Sequence, residues 1–160
     1  LVGGDADLLA DCRPLLQCFA ENITHAGPVG AGHSMKLLHN YVSLGFVALL
    51  SEAAACAQRS GIAPEVFVDI LAKGGGGGVA LERVKPFLLN GDNGSLRFAM
   101  ANAHKDLGYY ATMAADAGAV GEIADAVLRT YAQGSAEGGA QAGVLDLVTL
   151  LAARAPAAPR

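Results

Sequence analysis

Gly27-Pro28-Val29-Gly30-Ala31-Gly32-His33-Ser34-Met35-Lys36-Leu37-Leu38-His39-Asn40 is the stretch on which the fold turns. Gly27-Pro28 stops any extended segment before it. Gly30 and Gly32 allow a tight entry into a helix that starts at about Gly32 or Ser34. The apolar pattern then runs to Arg59, where Ser60-Gly61 is a C-cap signal. At 1.5 Å per residue this helix spans roughly 37 Å. Its middle is apolar on nearly every side, which predicts a central helix buried all round by other helices, including those of a second subunit. Lys36 and Asn40, four residues apart, lie on one face one turn apart, and His39 borders that face.

A lysine in the first turns of a buried helix sits near the positive end of the helix dipole. Desolvation and the dipole both predict a value below the ordinary ~10.4, and a lysine pushed toward neutrality exchanges a proton with an alcohol or carbonyl. The alternative from spacing alone is a lysine reaching solvent at a helix end, with Asn40 as a polar spot. The two glycines are not a dinucleotide fingerprint, because the third glycine and the following ribose-binding acid are missing.

Upstream of the quoted stretch the pattern is β-α-β. Leu1 to Gly4 reads as a short strand, Asp5 as an N-cap, and Leu8, Leu9, Cys12, Leu15, Leu16 and Phe19 keep helical spacing, with Pro14 as a possible kink. Asn22-Ile23-Thr24-His25 reads as a second strand. The rest of the chain offers no further strands, so the sheet partners of this unit are expected outside it. Downstream everything reads helical: Pro64 to about Ala72, Val79 to about Leu89 interrupted by Pro86, about Ala99 to Ala117, Gly121 to Ala136, and Val144 to Arg154. Gly74 to Gly78 form a loop, read as a flexible site entrance, and 155–160 a flexible tail.

The 160 residues are enough for a real core, and 52% hydrophobic against 16% charged residues fits a globular chain rather than a disordered one. A net charge of −4 without a basic cluster argues against nucleic acid. The apolar run Leu37 to Ser51 is shorter than the ~20 residues of a membrane span, so no membrane partner is expected. Cys12, Cys18 and Cys56 are odd in number with no CxxC, which points to a reducing, cytoplasmic setting. The histidines show no ligand spacing, and no metal is expected. Glu52 reads as a buried, hydrogen-bonded acid. The chain opens on Leu1, not Met, and reads as part of a longer one.

Gly30-x-Gly32-x-x-x-Lys36-x-x-x-Asn40 resembles the G-x-G-x-x-x-K-x-x-x-N pattern that opens the interdomain helix of β-hydroxyacid dehydrogenases of the 3-hydroxyisobutyrate dehydrogenase type, within the 6-phosphogluconate dehydrogenase-like superfamily. Val2-Gly3-Gly4-Asp5 looks like that family's V-G-G-D strand–helix junction, and Asn22 to Gly27 like the last strand of its Rossmann domain. His104-Lys105-Asp106-Leu107, after Phe98, is similar to its K-D-L motif. Each motif alone is weak; four in the right order are strong, and they cover nearly the whole chain.

The resemblance implies a mainly α fold: a multi-helical dehydrogenase C-terminal domain around a long central helix, preceded by the last β-α-β piece of a Rossmann domain. The implied division is a dinucleotide-domain remnant at 1–29, a helical substrate and dimerisation domain at 30–154, and the tail. It also implies an NAD- or NADP-dependent oxidoreductase acting on a small 3-hydroxy acid or its semialdehyde, assembled as a homodimer or homotetramer. Lys36 would be the general acid/base and Asn40 would position substrate, with Gly30 and Gly32 letting backbone approach the site. Lys105 and Asp106 would serve the cofactor; read without the family, they are an exposed ion pair. Two features depart from the family pattern. Five glycines stand where the family often has Ser beside Gly, and Gly118 to Ile123 lacks a proline often found there. The chain is also too short for 6-phosphogluconate dehydrogenase itself. Lys36 argues against imine reductases, which usually replace it. The rival from another class is a non-catalytic helical oligomerisation or scaffold module on the same fold.

Overall fold

The computed structural model describes residues 1–139 and 141–154, so the tail expected at 155–160 lies outside the described residues. Two short parallel strands, β1 (Val2–Gly3) and β2 (His25–Gly27), flank helix α1 (Ala6–Leu16). Asp5 caps α1 by accepting the Leu8 amide at 2.9 Å, and Pro14 is accommodated inside the helix. The second strand lies three residues later than the sequence suggested. Thr24 already supplies a carbonyl to Val2 at 2.9 Å, but the register pairs Val2 with His25 and Gly3 with Gly27. The sequence located the segment, whereas pairing with β1 decided which residues are extended.

Helix α2 (Ala31–Arg59) is the axis of the molecule. Gly30 enters it with φ 94°, a left-handed conformation that suits glycine. The helix ends in a Schellman pattern: Ile62 donates to the Ala57 carbonyl at 2.9 Å and Gly61, at φ 74°, to Gln58 at 3.1 Å. Around it pack α3 (Pro64–Lys73), α4 (Val79–Asn90), α5 (Met100–Asp116), α6 (Glu122–Gly138), a 3-10 turn (Val144–Asp146) and α7 (Leu147–Ala153). Pro86 does not interrupt α4, since Leu81 and Val84 anchor the turn before it in the core. An isolated antiparallel bridge, Ala99 to Gly143, ties the start of α5 to the 3-10 turn.

Leu44, Val47 and Leu50 of α2 meet Leu81, Val84, Met100, Leu107, Tyr131, Val144 and Leu147 in the main core. Each such side chain contributes about 1.5–3 kcal/mol by leaving water. The Tyr131 hydroxyl is buried with the rest and donates to the Leu44 carbonyl at 3.0 Å. Ser51, also buried, donates back to Val47 at 2.7 Å.

Within this chain α2 is covered on one side only, so cover all round would need a second subunit. Its inward face is covered by α4, α5, α6 and α7, while Val42, Phe46 and Leu49 on the outer side are exposed. Glu52 is likewise exposed and has no hydrogen-bond partner among the described residues. By length and composition α2 also passes for a membrane span, with mean hydropathy 1.3 over its most apolar window. Its packing against α3, α4, α5, α6 and α7 gives the same apolarity a role as a core helix.

Candidate functional site

The site grows from the junction of β1 with the first turn of α2. A Cβ on Gly3 would stand 2.6 Å from the Pro28 carbonyl oxygen, 2.8 Å from the Gly32 amide and 2.9 Å from the Ala31 amide. A Cβ on Gly32 would stand 3.0 Å from the Gly3 amide nitrogen. The two glycines let strand and helix backbones touch. Gly32 is therefore buried against β1, while Gly30 has open space beside it.

One turn after Gly32, Lys36 is exposed and has no hydrogen bond or ion pair among the described residues. The burial on which its expected desolvation rested is not supplied by this chain. Asn40, a further turn along, is half-buried. Its Nδ2 donates to Asp106 Oδ2 of α5 at 3.0 Å, across 66 residues of sequence. The other carboxylate oxygen of Asp106 receives the Lys105 ammonium at 3.1 Å. Lys105 is half-exposed and lies 5.7 Å from the ring centre of Tyr109. The structure thus joins Asn40, Lys105 and Asp106 into one polar line between α2 and α5. It places Lys36 on the same face of α2 as Asn40 without tying it in.

Asp106 fixes the amide of Asn40. With one Nδ2 hydrogen committed to the carboxylate, the Oδ1 atom and the second hydrogen are turned away from it. The His39 ring lies 3.5 Å from that Oδ1. Beneath this line Tyr41 stacks on Tyr110, with ring centres 4.1 Å apart and planes within 10°. Burial, and then the neighbouring Tyr110, push the Tyr41 hydroxyl above its ordinary value. Neither the stack nor the Asn40–Asp106 bond was foreseen from sequence. Both join α2 to α5, and no local spacing encodes that pairing.

The donor set fits one end of a dinucleotide: a half-exposed ammonium held by a carboxylate, beside an oriented amide. Lys105 would hold that end, and Asp106 would hold Lys105. Among the described residues no group of three or more His, Cys, Asp or Glu side chains is arranged to hold a metal.

The family model described as NAD-binding of NADP-dependent 3-hydroxyisobutyrate dehydrogenase matches residues 30–151. NAD-dependent L-serine dehydrogenase of Pseudomonas aeruginosa is 34% identical over 136 residues, 84% of this chain and 44% of that protein. The 2-(hydroxymethyl)glutarate dehydrogenase of Eubacterium barkeri is 32% identical over 124 residues, 77% of this chain and 40% of that protein. The structure of Mycobacterium tuberculosis 3-hydroxyisobutyrate dehydrogenase with L-serine superposes with a TM-score of 0.83 at 26% identity, covering 94% of this chain and 54% of that one. The chain spans about half the length, or less, of these relatives. The multi-helical fold around α2 with its two parallel strands is that of these dehydrogenases, and the family's cofactor is NAD or NADP. This chain belongs to the 3-hydroxyisobutyrate dehydrogenase family, as the part described there as NAD-binding.

Proposed function

We propose that the chain is the helical part of an NAD(P)-dependent oxidoreductase that interconverts a small 3-hydroxy acid and its semialdehyde, with Lys36 as the general acid/base. The observation that carries this is the face of α2 on which Lys36 and Asn40 stand one turn apart, Asn40 held by Asp106 at 3.0 Å. A bound nicotinamide would supply the hydride acceptor. Lys36 Nζ takes the hydroxyl proton in oxidation and returns it in reduction. The oriented Asn40 amide offers Oδ1 and one N–H to the substrate, and Gly30 and Gly32 keep the helix entry open to it. Lys105 holds the cofactor, with Asp106 as its anchor. Loops of the remaining half of the enzyme hold the substrate carboxylate and cover Lys36, so this chain by itself is expected to show no useful turnover.

The relatives named above act on L-serine, a hydroxymethyl diacid and 3-hydroxyisobutyrate by their names, and small 3-hydroxy acids span that chemistry. The proposal includes a homodimer or homotetramer and a cytoplasmic location, the latter supported by three free, exposed cysteines. The test is turnover of the complete enzyme against Lys36→Ala over a panel of small 3-hydroxy acids with NAD and NADP. A fall of at least ~100-fold with the fold intact is expected. Equal turnover of the two proteins would overturn the role of Lys36. It would favour instead a non-catalytic oligomerisation module, a reading that the exposed side of α2 also supports.

A further inference from the structure

A small apolar cluster beside the site has no part in the chemistry proposed above. It gathers Leu37 and Tyr41 of α2, Tyr110, Met113 and Ala114 of α5, and Ala124 of α6. Toward it, the buried residues of the main core reach only to Leu44 on α2 and Leu107 on α5. Asn40 and Asp106 lie just beyond both limits. Their bond is the one side-chain hydrogen bond between the two helices among the described residues. Tyr41 directly follows Asn40, and Tyr110 stands one turn after Asp106 on the same face of α5. The two rings stack with centres 4.1 Å apart and planes within 10°. Tyr110 is buried and Tyr41 half-buried.

We infer that Tyr41 and Tyr110 are positioning residues for both the substrate end and the cofactor end of the site. Their stack sets the separation of α2 and α5 at which Asn40 reaches Asp106 and Asp106 holds Lys105. This rests on the roles given above to Asn40 and Lys105 and names what fixes them.

One part-buried hydrogen bond adds little net stability, because water competes for both partners, so it cannot hold two helices at one spacing. Stacked rings can. Each is flat and stiff, with two side-chain torsions, so ring contact limits how closely the helices approach and favours one distance. Tyr131 is the one tyrosine whose hydroxyl makes a hydrogen bond among the described residues, so rings and not hydroxyls make the Tyr41–Tyr110 contact. A shift of α5 away from α2 opens the 3.0 Å bond, frees the Asn40 amide and lets the Asp106 carboxylate move with Lys105. Substrate amide and cofactor ammonium thus share one determinant. Lys36 has no tie to α5, so the stack bears on binding more than on proton transfer.

Tyr41→Leu in the complete enzyme tests this, since it keeps apolar bulk and loses the ring. Titration calorimetry with NAD and NADP reads dinucleotide affinity, and steady-state kinetics read kcat and the KM of the hydroxy acid. Tyr41→Leu is expected to weaken dinucleotide affinity and raise that KM by at least ~5-fold each, as for residues coupled by contact, with a smaller fall in kcat. Tyr41→Phe is expected to keep both values within ~2-fold, because the ring remains. On an Asp106→Ala background Tyr41→Leu is expected to add less than ~2-fold, because the bond it positions is already gone. Met113→Ala, in the same cluster but outside the stack, is expected to lower the melting temperature and leave affinity unchanged. If Tyr41→Leu fails to fold, Tyr41→Met takes its place. An undiminished effect of Tyr41→Leu on the Asp106→Ala background, or an equal loss of affinity in Met113→Ala, would reduce the stack to general packing and overturn the inference. So would unchanged affinity and KM in Tyr41→Leu, their loss in Tyr41→Phe, or an unaltered enzyme that binds neither dinucleotide. Affinity is measured without turnover, so failure of the Lys36 reading, seen in the turnover of Lys36→Ala, and failure of this one are separate results.

Discussion

Gly3→Ala is the substitution that most directly probes how the fold positions the site. Its new Cβ would stand 2.6, 2.8 and 2.9 Å from three backbone atoms of Pro28, Gly32 and Ala31. Ordinary contact begins at 3.4 Å, so the closest pair must open by about 0.8 Å. Backbone on both sides leaves no flexible side-chain end to move aside. Overpacking of this kind costs about 1–3 kcal/mol. For a chain of this size that lowers the melting temperature by roughly 2–4 °C per kcal/mol. Lys36 lies one turn beyond Gly32, so the same opening displaces its ammonium relative to the strand. A misplacement near 1 Å costs up to ~100-fold in rate. The assay pairs thermal unfolding with turnover of the complete enzyme. Gly108→Ala is the control: its Cβ meets nothing within 4 Å in the middle of α5, and it is expected to stabilise by up to ~1 kcal/mol through helix propensity. A Gly3→Ala protein with unaltered melting temperature and turnover would refute the close strand–helix crossing as the element that sets Lys36.

Tyr131→Phe removes the hydroxyl that donates to the Leu44 carbonyl at 3.0 Å, with an expected loss of about 0.5–1.5 kcal/mol in urea unfolding; no loss would show that the buried bond is energetically neutral. Burial raises the Tyr131 hydroxyl well above its ordinary value of 10.0 and raises Tyr41 as well. The folded chain keeps these protons where the unfolded chain releases them, so their contribution is full below pH 10 and falls as pH rises through and beyond 10. Denaturation midpoints measured on the alkaline side check this, and Tyr131→Phe is expected to flatten the slope. Asp106→Asn keeps a partner for Asn40 but loses the charge that holds Lys105. It is expected to raise KM for the dinucleotide more than it lowers kcat, and the reverse split in steady-state kinetics would place Asp106 in the chemistry instead.

The sequence by itself determined the helices and most of their ends. Gly30 before α2, Ser60-Gly61 after it, Pro64 at the start of α3 and the glycines flanking α4 are local signals. Backbone dihedrals and capping depend on residues within a few positions, so they are readable one stretch at a time. The placement of Lys36 and Asn40 on one face followed from the helical repeat alone.

Tertiary structure decided what depends on partners far away in the chain. The register of β2 waited for β1, and the strand starts three residues later than the sequence suggested. The bond from Asn40 to Asp106 and the Tyr41–Tyr110 stack needed α5 to be laid against α2. Which side of the largely apolar middle of α2 faces the core was likewise undetermined. The middle of α2 is apolar on nearly every side, so the packing of α4, α5, α6 and α7 chose the buried face. That choice left Val42, Phe46, Leu49 and Glu52 outside and Lys36 in the open, because burial belongs to the assembled surface and not to any residue's neighbours in sequence.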